Sequence, residues 1–157
     1  MRFVAIASTL FLSALFLFTG IDKAAHYQPF INALDSYHLV PLGFASIIAP
    51  VVIGLEIAVG LGLLIRSWRA AAALVGAFTL GVFTVALVAN QFYAPGNVCG
   101  CWFTVTLAKS TGSHILLNCV LIALALTTWW NERRARNEAA PPPASPTLGK
   151  EALGKMA

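Results

Sequence analysis

The sequence predicts an all-α protein, an integral membrane four-helix bundle with both termini cytoplasmic. Three observations carry that expectation. Hydrophobic residues make up 59% of the 157-residue chain and charged residues only 10%, whereas soluble domains carry about 25% charged residues. The apolar residues gather in four long runs, at 3–20, 43–65, 70–89 and 115–130. The arginines cluster at one end of those runs.

The hydrocarbon core of a bilayer is roughly 30 Å thick, so a helix needs about 20 apolar residues to cross it. The first run, preceded by Met1-Arg2, is near that limit. It has the charge and apolar stretch of a signal peptide, but it is long for one. No small-x-small site follows it directly, because Asp22 and Lys23 precede Ala24-Ala25. It is therefore expected to stay as a span. Residues 21–42, with Asp22, Lys23, His26, Asp35, Tyr37 and His38, are amphipathic and are expected to lie at the membrane surface. The second and third runs satisfy the length outright, and the short 66–69 turn makes them an antiparallel hairpin. Each carries small residues at four-residue spacing, Gly54, Ala58 and Gly62 in one and Ala73, Ala77 and Gly81 in the other. Such ladders let membrane helices approach closely. Glu56 and Gly60 share the opposite face of the second span, which suggests a central position or a homo-oligomer contact.

Residues 90–113 include Phe92, Tyr93, Trp102 and Phe103, aromatics suited to the interface. The fourth run is short but ends in the anchor Trp129-Trp130. Lipid-exposed backbone must satisfy its own hydrogen bonds, so all four runs read as helices. From Asn131 the composition changes. Residues 131–137 are charged, and Pro141-Pro142-Pro143 and Pro146 follow. The sequence therefore divides into a membrane domain, 1–130, and a basic, then Pro-rich, tail over 131–157 expected to be disordered. No internal repeat is visible.

With four spans, Arg2, Arg66, Arg69, Arg133, Arg134 and Arg136 share one end, against Lys23 and Lys109 at the other. The positive-inside rule makes the arginine end cytoplasmic. The net charge of +4 reflects this anchoring and gives no case for nucleic-acid binding. Cys99-Gly100-Cys101 then faces outward, where disulfides persist.

That pair has three uses open to it. Bridged cysteines need Cα atoms within about 7 Å, which an intervening glycine can arrange. A strained, exposed disulfide is easily reduced and suits exchange. A permanent staple is the bland alternative, though so short a ring constrains the unfolded chain little. Reduced thiolates would bind soft metals, but the methionines are only Met1 and Met156, which argues against a copper relay, and no metal site is assigned. Cys119, inside the fourth run, is either a packing residue or a resolving thiol. Glu56 lies mid-span, where a carboxylate is costly and should face the interior. Its natural partner is Lys23, provided the first helix extends past Gly20. The alternative is a protonated acid bonded to a carbonyl. His114 and Asn118, at the outer end of the fourth run, are candidates for tuning a thiol or simply polar caps.

The order Gly20-x-x-Lys23, Tyr37-x-x-x-Pro41, Pro50 then Glu56, Gly60-x-Gly62-Leu63-Leu64, and Cys99-Gly100-Cys101 resembles the methylamine-utilisation MauE branch of the DoxX-like membrane proteins. The likeness covers nearly the whole bundle. It implies a multi-pass protein of the bacterial inner membrane with the cysteine pair periplasmic. It also implies a periplasmic thioredoxin-like partner and a disulfide-rich client such as the small subunit of methylamine dehydrogenase. Lys23, Glu56, Cys99 and Cys101 are the positions carried over. Two departures bear on the pathway: Trp102-Phe103-Thr104 follows the pair where Phe-Gly is common, and Leu117 precedes Asn118 where arginine is frequent.

The leading expectation is a membrane component of thiol–disulfide exchange acting through Cys99 and Cys101. The alternative is a non-enzymatic scaffold or assembly factor clipped by that disulfide. A minor alternative is a small proton- or cation-coupled transporter using Glu56. No cofactor is evident, and a quinone acceptor has no motif behind it.

Overall fold

The computed structural model of the chain describes residues 2–36, 41, 43–93 and 111–139. Among them all regular structure is helical: α1 (Arg2–Ala25), α2 (Tyr27–Ser36), α3 (Ala45–Leu64), α4 (Arg69–Tyr93) and α5 (Thr111–Ala139). Four of these, all but α2, are long and apolar enough to cross a membrane. The chain is a multi-pass membrane protein.

α1 outruns its apolar stretch, and the segment expected to lie along the surface supplies its last turn and the whole of α2. Pro29 explains the break between them. Proline lacks an N–H, and its ring collides with the carbonyl four residues back, here that of Ala25, where α1 ends. The ladder resumes around the fault, His26 N–H donating to Asp22 C=O at 2.9 Å and Phe30 N–H to His26 C=O at 3.0 Å. The chain bends there and stays helical. α2 then buries Phe30 against Ala49 and Ile53 of α3.

α3 has its own proline, Pro50, inside the helix, which strips the Ser46 carbonyl of its usual donor. The Tyr27 hydroxyl donates to that carbonyl at 3.2 Å. In hydrocarbon an unmet carbonyl is expensive, so the start of α2 repairs the flaw in α3.

The expected packing by small-residue ladders needs correction. α3 does contact α4, but the most extensive pairs are α1 with α3 and α4 with α5. A Cβ placed at Gly54 or Gly81 would meet nothing within 4 Å, and only Gly62 of the first ladder's glycines is crowded, by Ala72 at 2.9 Å. The close approaches lie on the other face. A Cβ at Gly60 would stand 2.7 Å from Leu17 Cγ, and one at Gly20 would stand 2.9 Å from Ile57 Cγ1. Burying Glu56 and Gly60 against α1 turns Gly54 and Ala58 outward. Where the two helix pairs meet, Leu12 and Phe16 of α1, Val59 and Leu63 of α3, Ala73 and Ala77 of α4, and Leu121 and Ala125 of α5 form the core.

The composition break at Asn131 is not a helix end. α5 continues to Ala139, and two bonds fasten its extension to the α3–α4 turn. Arg69 Nη1 donates to Glu132 Oε1 at 3.0 Å, and Arg136 Nη2 to the Ser67 carbonyl at 2.6 Å. Arg69 Nε also donates to Leu63 C=O at 2.9 Å, closing an otherwise orphaned carbonyl at the end of α3. Residues 140–157 lie outside the described residues.

Candidate functional site

The bundle interior holds a polar cluster built on an ion pair. Lys23 Nζ donates to Glu56 Oε1 at 2.7 Å and Oε2 at 2.9 Å, and both side chains are only 4% exposed. The condition for this pairing is met, because α1 carries Lys23 beyond Gly20 as helix. Gly20 packs against Ile57 and Glu56. Lys23 therefore stands three residues, about 4.5 Å, above the carboxylate, within the reach of a lysine side chain.

The surroundings fix the ammonium from the sides. The rings of Phe30 and Phe83 centre 5.7 and 5.4 Å from Nζ, distances at which an aromatic face attracts a cation. Beside the pair is a cavity of about 30 Å³ lined by Leu15, Phe16, Thr19, Lys23, Glu56, Leu80, Phe83, Asn118 and Leu121. All four spans contribute to that lining. Ser13 Oγ donates to Gly60 C=O at 2.7 Å one turn deeper, tying α1 to α3 on the same face. On the outer side Asp22 is buried, and His26 Nδ1 lies 3.2 Å from its Oδ1.

An intramembrane charge pair of this kind can serve as a lock between helices. Each charge is costly alone in a bilayer, and each is neutralised by the other. Both carboxylate oxygens are occupied by Lys23.

The other sequence-predicted residues fall differently. His114 is half-buried in the first turn of α5 and does not line the cavity, whereas Asn118, one turn on, is buried and does. Cys119 is exposed on the outside of α5 and unbridged, directed away from the interior. Cys99 and Cys101 lie outside the described residues, between Tyr93, where α4 ends, and Thr111, where α5 begins. Among the described residues no group of three His, Cys, Asp or Glu side chains is placed to hold a metal. Sequence reasoning missed Thr19, Phe30 and Phe83. Thr19 was findable, since it precedes Lys23 by four residues on one helix face. Phe83 had no local signal, as its role depends on how α4 packs.

The chain matches the family described as Methylamine utilisation protein MauE over residues 1–131. A curated protein, Methylamine utilization protein MauE of Paracoccus denitrificans, is 30% identical over 121 residues, covering 76% of this chain. The match spans only 65% of that relative's length. No solved structure matches.

Proposed function

Because the chain belongs to the MauE family, we propose that it is an inner-membrane accessory protein of methylamine utilisation or a related pathway. In this reading it supports disulfide maturation of a periplasmic client through Cys99 and Cys101. The observation that carries the reading is topological. The pair falls in the sequence between Tyr93, where α4 ends, and Thr111, where α5 begins, helix ends opposite those that carry Arg66, Arg69, Arg133, Arg134 and Arg136. If the arginine end is cytoplasmic, as the positive-inside rule requires, the pair faces the oxidising compartment.

The exchange balances as follows. A thiolate of a reduced, thioredoxin-like periplasmic partner attacks the Cys99–Cys101 disulfide. One sulfur of the pair leaves as a thiolate and a mixed disulfide forms. The partner's second thiolate resolves it, leaving the partner oxidised and the pair reduced by two electrons and two protons. A membrane quinone is the class of acceptor that would return the pair to the disulfide, becoming quinol. The oxidised partner then transfers its disulfide to the client. Lys23 and Glu56 touch no reacting atom in this scheme and act as the framework.

The test is client disulfide formation in cells carrying Cys99→Ser or Cys101→Ser, beside alkylation trapping of thiols in a Cys119→Ala background. Each serine variant is expected to leave the client reduced or scrambled, and the native pair to appear as a mixture of oxidised and reduced forms that mild reductant shifts. Normal client oxidation in both variants would refute the exchange role. A pair that stays locked as a disulfide would favour the scaffold reading, in which the outward α3 surface around Gly54 and Ala58 docks a partner.

A further inference from the structure

At the arginine-rich end the extension of α5 stands beside the α3–α4 turn and leaves a crevice between them. It measures about 680 Å³ and is lined by Ile65, Arg66, Ser67, Glu132, Ala135 and Arg136. Its charges do not cancel. Glu132 is taken by Arg69, which lies 3.0 Å away. Arg136 spends one Nη2 donor on the Ser67 carbonyl at 2.6 Å, and no other described residue engages its remaining N–H groups. Arg66 is exposed and no hydrogen bond or ion pair with another described residue engages it. Two guanidinium groups therefore border one crevice, and the one carboxylate among its described lining residues is already taken by Arg69.

The depth of the crevice identifies its surroundings. Ile65 ends the apolar run of α3 and is 52% exposed, while Trp68, next to the lining Ser67, and Trp130, two residues before the lining Glu132, are 67% and 58% exposed. Exposed tryptophans at the ends of spans mark the headgroup zone. A ligand here meets cations on the water side and an apolar wall on the lipid side.

We propose that this crevice binds the phosphate of an acidic glycerophospholipid, with its acyl chains running down beside Ile65. Planar guanidinium forks match phosphate oxygens two at a time, and basic pockets at the ends of membrane helices suit anionic headgroups. A zwitterionic lipid offers the same phosphate but brings its own cation against the arginines, so the site prefers a headgroup of net negative charge. A bound lipid would also bridge the α3–α4 turn to α5, reinforcing the Arg136–Ser67 contact.

The test is native mass spectrometry of the full chain released from detergent, titrated with phosphatidylglycerol and, separately, phosphatidylcholine. Phosphatidylglycerol is expected to bind the tighter. Arg66→Gln is the cleanest variant, because Arg66 holds no bond of the fold, and it should weaken phosphatidylglycerol binding about five-fold. Adding Arg136→Gln should multiply the loss by a similar factor. Arg134→Gln removes the same charge from a residue that does not line the crevice, and should change binding less than two-fold. Equal binding of the two lipids, no effect of Arg66→Gln, or an equal effect of Arg134→Gln would each overturn the site. Displacement of the lipid by millimolar inorganic phosphate would transfer the site to a soluble anion and overturn the lipid assignment.

Discussion

Lys23→Met should destabilise this bundle far more than a single side-chain exchange usually does. The ammonium is 4% exposed, as is its partner, and it satisfies both Glu56 oxygens, at 2.7 and 2.9 Å. Removing it strands a carboxylate among Phe16, Leu80, Phe83 and Leu121. Breaking a buried pair from one side costs about 3–5 kcal/mol in soluble proteins, and insertion scales charge about 2.5–3.5 kcal/mol for one unpaired ion at mid-span. A loss of about 3 kcal/mol is the expected outcome, and Glu56→Leu should cost about as much by stranding Lys23. The double variant, Lys23→Met with Glu56→Leu, leaves no charge behind and should return to within about 1 kcal/mol of the native protein. A double-mutant cycle by reversible unfolding in mixed micelles, followed by circular dichroism, measures all three. Single variants that each lose less than about 1 kcal/mol, or a double variant whose loss is the sum of the singles, would refute the reasoning.

Two further outcomes follow from the backbone. Gly60→Ala places a methyl 2.7 Å from Leu17 Cγ and 3.1 Å from Leu17 backbone nitrogen, so the same unfolding assay should show a loss of about 1–3 kcal/mol. Gly54→Ala, with nothing within 4 Å, should stay within about 0.5 kcal/mol, and a comparable loss at both sites would contradict the α1–α3 packing. Tyr27→Phe deprives the Ser46 carbonyl of its donor at 3.2 Å and should cost about 1 kcal/mol. Hydrogen exchange should quicken in the first turns of α3 and stay unchanged in α5.

The spans were legible because hydrocarbon leaves the sequence little choice: four apolar runs became four helices, with ends shifted by one to nine residues. The shifts came from polar residues whose partners lie far off in the chain. Asp22 and Lys23 read as the end of a span, since a sequence cannot say that Glu56 waits at the right depth to receive the lysine. Asn131 read as the start of a tail for the same reason, because Ser67 and Arg69, which fasten Glu132 and Arg136, come some 60 residues earlier. The small-residue ladder of α3 misled by abundance, whereas Ala73 and Ala77 of the α4 ladder do lie in the core. Glycine and alanine recur on several faces of α3, and the face that packs on α1 is chosen by Glu56. Pro29 was visible throughout, and its clash with the Ala25 carbonyl places the α1–α2 bend almost to the residue.

The polar cluster also separates a structural role from a chemical one. α1 and α3 are joined by the Lys23–Glu56 pair, while α4 and α5 carry the segment that holds Cys99 and Cys101 between them. The two halves meet where Phe83 of α4 and Asn118 of α5 line the same cavity as the pair. A charge stranded there would disturb α4 and α5, which flank the cysteine segment in the sequence, as well as α1 and α3, so Lys23→Met alone cannot tell a lock from a participant in exchange. The charge-free double variant can, because it keeps the helices together while removing every ionisable group from the cavity. If Lys23 and Glu56 only hold the framework, disulfide formation in the client should survive in that variant while Cys99→Ser abolishes it. Loss of client oxidation in a double variant that is as stable as the native protein would place the pair in the chemistry itself.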